Sequence, residues 1–301
     1  MNNLWLKNPS LAYADWQDRL STDTGTRRFA RQSIIQHRAM LDRFHRHLVD
    51  HGVTLADFES DHIAAFWRGP SAATYTPSTR MRYLHLLDRL CRHLVEIGMR
   101  ETNPAAELAR EGSWSNDGSP PLFLPKAVDE QLQDFVQPLP GDDIPQLRMR
   151  AILALFLGTG VTAAEGRAAA LHDLQDLSAH PCLHVPELGA KAARSVPLEP
   201  FAVPAMDAWK TVRASLPIAG NLLFALRPCG APITDMSLGN IVRDAFEAIA
   251  YEADDMSPRI LRNTYCRRAL LSGVPRDSVS TLLGLTSNRT CDRMMATIHR
   301  Q

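Results

Sequence analysis

The stretch from Glu111 to Pro125, EGSWSNDGSPPLFLP, constrains this chain more than any other. Eight of its fifteen residues are Pro, Gly or Ser. Such a composition interrupts both helix and strand, because Pro lacks a donor and Gly resists ordering. The chain is therefore expected to fold as two parts joined by a linker at 111–121. Residues 1–25 read as an N-terminal extension with one short helix, given Pro9, Gly25 and the Ser21–Thr24 cluster. In 26–110 the apolar residues recur at helical spacing. Ala30, Ile34, Leu41, Phe44 and Leu48 lie on one stripe closed by Gly52, and Leu84, Leu87, Leu90, Leu94 and Ile97 lie on another closed by Gly98. Between them a helix is expected to begin after Thr54 and stop at Gly69-Pro70. This part reads as an all-helical module of about four helices.

The remainder, 122–301, reads as mostly helical with one β-hairpin. Its strands are Leu183–Leu188 and Arg194–Leu198, joined by a turn at 189–193. Apolar residues make up 45% and charged residues 22%, the balance of a soluble globular protein. The longest apolar run, Ala151 to Leu157, is too short to span a bilayer, and the start shows no basic region followed by an apolar stretch. Five scattered cysteines without a C-x-x-C motif suit free thiols in a reducing cytoplasm. His180, Cys182 and His184 would share one strand face, but no fourth ligand stands at a matching spacing, so no metal or cofactor is expected.

The net charge is zero, yet the charges are unevenly spread. Between Arg27 and Arg100 there are 12 Arg against 7 acidic residues, and from Arg259 to Gln301 there are 8 Arg against 2. Arg27, Arg31 and Arg38 fall near one face of the first long helix; Arg82, His85, Arg89 and Arg92 do so on the last. Every Arg or Lys between 27 and 100 is Arg, whose planar fork suits phosphate oxygens. Two basic zones flanking a more acidic middle point to a polyanionic partner, with solvated helix faces as the plainer alternative.

A series of short motifs in the second part resembles the tyrosine-recombinase (phage integrase) family. Leu157-Gly-Thr-Gly-Val-Thr-Ala-Ala-Glu165 is similar to the family's TGLRxxE turn, and Leu171-His-Asp-Leu174 to the segment after it. Arg194-Ser-Val-Pro-Leu198 is similar to its R-x-V-P-L strand, Ser257 to Tyr265 (SPRILRNTY) to SPHxLRHTF, and Gly273 to Gly284 to the region ending LLGH. The resemblance implies a mainly α fold: a helical core-binding (SAM-like) domain at 26–110, then an α-rich catalytic-like domain at 122–301 with a small β-hairpin or sheet.

The family's chemistry needs a Tyr nucleophile, a pair of Arg, His groups and a hairpin Lys around one DNA phosphate. Carried over residue by residue, most of that set is replaced. The first Arg position is Thr162, the first His position Arg259, the LLGH His Leu285 and the nucleophile Met294. Arg262 remains at the second Arg, followed by Asn263, and Lys191 stands near the hairpin Lys. Tyr265 matches a family position that packs into the core. The resemblance thus implies a non-cleaving, sequence-specific binder of double-stranded DNA, a transcriptional regulator or accessory factor of a mobile element or plasmid. The expected DNA contacts are Arg27, Arg31, Arg38, Arg82, Arg89, Arg92, Lys191, Arg259, Arg262 and Arg289.

Two alternatives stay open: a divergent recombinase that still cleaves, and a module that binds an active recombinase rather than DNA. Only Met295 to Gln301 follow Met294, too little for the family's helix that docks on a neighbouring protomer. A monomer or dimer is expected rather than a cyclic tetramer, in the cytoplasm and associated with the nucleoid.

Overall fold

The computed structural model describes residues 2–20, 31–114, 120–175, 177, 179–187, 191–225, 227–253 and 255–298. The chain divides into two units, Met1–Ser119 and Pro120–Gln301. The described part of the first is all helix: α1 (Asn2–Lys7), α2 (Pro9–Leu20), α3 (Arg31–Asp50), α4 (Ser60–Arg68), α5 (Pro77–Glu96) and α6 (Ala106–Trp114).

Helix α3 buries Leu41, Phe44 and Leu48 and stops at Gly52, whose φ of 68° a side chain would strain. Helix α5 starts with Pro77 at its first turn, where the missing N–H costs nothing, while Thr76 Oγ1 accepts from the Thr79 N–H at 3.2 Å. Its buried stripe includes Leu84, Leu87, Leu90 and Leu94, and Gly98 at φ 67° ends it. Phe44 meets Phe58 and Phe66 edge-on at 5.2 and 5.3 Å in the core.

Three features depart from the sequence reading. Helix α6 runs to Trp114, so the first four residues of the linker expected at 111–121 continue a helix already under way. The region after Thr54 forms a turn before α4 begins at Ser60. Buried Arg100 explains the delay, donating to the carbonyls of Leu55 (2.9 Å), Phe58 (2.7 Å) and Thr102 (2.7 Å), so those groups need no helix to satisfy them. The N-terminal residues form two helices, not one, and they belong to the core. Trp5, Ala12, Tyr13 and Trp16 are buried, with Tyr13 Oη 2.9 Å from His37 Nδ1 and the Trp16 ring stacked on His93 at 4.4 Å. Each such aromatic contributes about 1.5–3 kcal/mol by burial, enough to dock short helices that are marginal alone.

The second unit contains α7 (Lys126–Phe135), α8 (Ile144–Thr159), α9 (Ala163–Ala168), β1 (Leu174–Gln175), β2 (Cys182–Val185), β3 (Arg194–Pro197), α10 (Val203–Ser215), α11 (Asp235–Ala248), α12 (Pro258–Leu271), α13 (Arg276–Leu282) and α14 (Arg289–Ile298). Helix α8 is buried on every side from Arg150 to Thr159, as a central core helix must be, and α10 and α12 pack on it. Asp143 opens it, accepting from the Gln146 N–H at 2.8 Å.

The strands form an antiparallel sheet in the order β1-β2-β3, with Leu183 opposite Val196. Leu183, Val185 and Val196 face the core, while Cys182 and His184 share the other face. The hairpin matches the sequence reading, although β2 ends at Val185 rather than Leu188, and residues 188–190 lie outside the described residues. The additional strand β1, two residues long, is too short to leave a periodic signal. Among the described residues no helix is long and apolar enough to cross a membrane.

Candidate functional site

The motif residues of the second unit converge around the end of α8. Gly160, at φ 62°, terminates that helix. A Cβ there would lie 2.5 Å from Tyr265 Cδ1 and 2.9 Å from Leu283 Cδ2, so glycine is what lets α12 and α13 close on this turn. Thr162 caps α9: its Oγ1 accepts from the Glu165 N–H, and Glu165 Oε2 accepts from the Thr162 N–H at 2.8 Å.

Glu165 is then clamped by cations from the sheet side. Arg194 Nη1 and Nη2 donate to its two oxygens at 3.2 and 3.1 Å, and Lys191 Nζ to Oε1 at 3.1 Å. The Glu165 side chain is 2% exposed and that of Arg194 7%. Burial alone would push the carboxyl pKa up. The Arg194 and Thr162 hydrogen bonds, with the charges of Arg194 and Lys191, outweigh it and hold the pKa at about 2. Arg194 Nε donates further to Leu282 O at 2.8 Å. A Cβ on Gly284 would meet the Arg194 guanidinium at 2.6 Å.

Arg262 sits beside this cluster, largely withdrawn from water. Its Nη1 donates to Gly160 O and its Nη2 to Leu283 O at 2.7 Å, so it braces the α8–α9 turn against the end of α13. Burial lowers its pKa, the Arg194 charge acts the same way and the Glu165 charge opposes. Asn263 Nδ2 donates to Leu122 O at 2.7 Å, fixing the segment before α7. Arg259, 73% exposed, forks onto Asp255 Oδ2 at 3.0 and 2.7 Å. Arg289 is exposed at the start of α14.

Met294 and Leu285 belong to a separate apolar cluster. Met294 is fully buried with Tyr265, Cys266, Val279, Leu283 and Cys291, and Leu285 packs against them half-buried. Burial pushes the Tyr265 hydroxyl up to about 12. Helix α14 therefore packs on α12 and α13 of its own chain.

In the first unit the structure sorts the arginines of the two basic faces. Arg27 lies outside the described residues, and Arg31 is the first residue of α3. Arg38 Nε donates to Ser10 Oγ at 3.1 Å, and the Arg89 guanidinium lies 5.2 Å from the Trp16 ring, so α2 engages both. Arg92 makes a two-nitrogen contact with Asp88 (3.2 and 2.7 Å) while staying 68% exposed. Arg82 and His85 are exposed beside it on α5. Arg43 and Arg46, which the sequence reading did not single out, are exposed on α3 and line a cavity of about 580 Å³. Their spacing with His47, Asp50 and His51 was the available signal.

No family model matches the chain. Among curated proteins, it is 26% identical over 288 residues to the tyrosine recombinase XerD of Brucella suis biovar 1 (strain 1330), covering 91% of this chain and 89% of that one. It is 27% identical over 312 residues to the tyrosine recombinase XerD of Mycobacterium tuberculosis (strain ATCC 25618 / H37Rv), covering 98% and 96%. Over nearly its whole length the chain is similar to tyrosine recombinases. A solved tyrosine-recombinase fold agrees: the XerH site-specific recombinase, in a post-cleavage complex with palindromic difH substrate, superimposes with a TM-score of 0.76 at 16% identity, over 88% of this chain and 76% of that one. Against the tyrosine-recombinase pattern, the turn, strand and helix motifs are kept as structure.

Proposed function

We propose that this chain binds duplex DNA on a tyrosine-recombinase scaffold without cutting it, in the cytoplasm and on the nucleoid. The observation that carries the reading is Met294. A thioether cannot attack phosphorus to leave a phosphoester, and this one is buried in an apolar cluster. The two other replaced positions act in the same direction. Thr162 uses its hydroxyl as a helix cap, and Leu285 offers no donor. Losing one preorganised donor of this kind costs about 10²–10³ in rate. Tyr265 does not substitute, since its hydroxyl is buried and held protonated.

Support for the DNA partner comes from the named activity of the relatives and from solved structures of the same fold, such as the Tn1549 transposon integrase in complex with circular intermediate DNA. It comes also from the exposed Arg82, His85 and Arg92 on α5 and Arg259 and Arg289 in the second unit. We assign these the backbone contacts. Arg262 acts as a brace whose charge adds to the field at the same place, and Lys191 is engaged by Glu165. The scaffold would serve as a transcriptional regulator or as an accessory factor of a mobile element or plasmid, as monomer or dimer, with an active recombinase as a further partner.

The deciding experiment is incubation with a nicked suicide duplex followed by a denaturing gel. No covalent adduct is expected, while a labelled duplex titrated at several salt concentrations should bind with a steep negative slope. An adduct abolished by Tyr265→Phe would overturn the non-cleaving reading. Failure to bind any duplex at low salt would overturn the DNA-binding one in favour of a protein partner.

A further inference from the structure

The cavity on α3 and α4 belongs to none of the motifs above. Its volume of about 580 Å³ lies within the roughly 300–1,000 Å³ of sites that take small organic ligands. Its walls come from the C-terminal half of α3, from α4 and from the turn after it. Arg43 is five residues beyond Arg38, which at about 100° per residue places it about 140° around α3 from the stripe that α2 engages. The cavity thus opens on a different flank of the helix.

Its chemistry is that of an anion site with an aromatic wall. Arg43 and Arg46 supply two guanidinium groups against one carboxylate, Asp50. Arg43 lies near the Tyr83 and Tyr75 hydroxyls, which themselves sit 3.4 Å apart and favour its charged form. His51 Nδ1 lies 2.7 Å from His47 O and His47 Nε2 lies 3.2 Å from His62 O. A carbonyl only accepts, so those ring nitrogens carry the protons and the two rings are held in place. The two rings sit 4.2 Å apart, and Phe66 and Tyr75 complete the wall.

We propose that this cavity binds a nucleotide bearing a phosphate monoester, its phosphate on Arg43 and Arg46 and its base against the ring wall. A simple anion would use the arginines and leave the rings idle; an uncharged ring would leave two guanidinium groups facing one carboxylate. The same chemistry has two sources, a free mononucleotide or the 5′-phosphorylated end of a DNA strand.

Calorimetric titration of the full chain tests it, with 5′-dAMP, deoxyadenosine, inorganic phosphate, and single strands with and without a 5′-phosphate. Either 5′-dAMP or the phosphorylated strand is expected to bind about ten- to a hundred-fold more tightly than its counterpart without phosphate. Binding by 5′-dAMP identifies the free source; binding by the phosphorylated strand alone identifies the DNA end. Arg46→Ala, at an exposed position where folding is retained, should weaken that ligand about ten-fold or more, and Ala65→Trp should do the same by filling the space. Inorganic phosphate binding as tightly as the nucleotide overturns the assignment. So does equal affinity for the phosphorylated and unphosphorylated forms, or an affinity unchanged by Arg46→Ala.

Discussion

Replacing Arg194 with Leu isolates what the buried ion cluster contributes. The side chain supplies both nitrogens that clamp Glu165 and a third bond to Leu282 O, and both partners are nearly sealed from water. Removing one member of a buried pair leaves the other charge desolvated, a loss of about 3–5 kcal/mol. Lys191 and the Thr162 N–H stay on the carboxylate, so the lower end, about 3 kcal/mol, applies here. For a unit of this size, that lowers Tm by about 6–12 °C, read by far-UV circular dichroism. A second substitution checks the cause. Adding Glu165→Gln to Arg194→Leu removes the stranded charge and should restore part of the loss. The carboxyl sits at about 2 when folded against an ordinary 4.5, so its stabilising contribution is complete above about pH 4.5 and disappears as pH falls toward 2. The difference between wild type and Arg194→Leu should shrink over that window. A Tm loss under about 2 °C, or no recovery in the double variant, would refute the reasoning.

Four further outcomes follow from the geometry. Gly160→Ala combines a left-handed φ with a clash on Tyr265 and should cost about 2–4 kcal/mol, measured by urea unfolding; a neutral result would mean the turn can relax. His37 and His93 are both held below the ordinary imidazole value, burial being the main cause, so their contribution is present above about pH 6.5 and is lost as pH falls. Hydrogen exchange of the α2 amides should therefore quicken between pH 7 and pH 5 once the intrinsic rate is divided out. Arg82→Ala should lower the slope of log affinity for duplex against log salt by about one without changing the fold, and an unchanged slope would remove it from the contact set. Met294→Tyr should form no covalent adduct on a nicked duplex and should lower stability by about 1–3 kcal/mol, since a larger ring must enter a filled cluster.

What the sequence could reveal follows the range of the interactions involved. The mainly helical class, the hairpin and the family were legible because each rests on local pattern: stripes on α3 and α5 ended by Gly52 and Gly98, and motifs kept in order from Leu157 to Gly284. The N-terminal pair was read as an extension, since α1 and α2 are short and owe their place to rings on α3 and α5. Strand β1 was invisible for the same reason. At the site, Glu165, Arg194 and Lys191 were each in view, but pairing across 26 and 29 residues is a property of the fold. The two basic faces were read from spacing alone, which gave no sign that Ser10 and Trp16 would engage Arg38 and Arg89.

Burying Met294 also bears on how such a chain can change over generations. A residue at a reactive centre is kept by selection on chemistry, whereas one at zero exposure among Cys266, Val279, Leu283 and Cys291 is kept by selection on folding. On the non-cleaving reading proposed above, a change of Met294 to Tyr would be penalised before any catalytic benefit arose, because Thr162 and Leu285 would also have to change. On that reading the loss of cleavage would work as a ratchet: each neighbour that adjusts to the methionine makes a tyrosine fit less well.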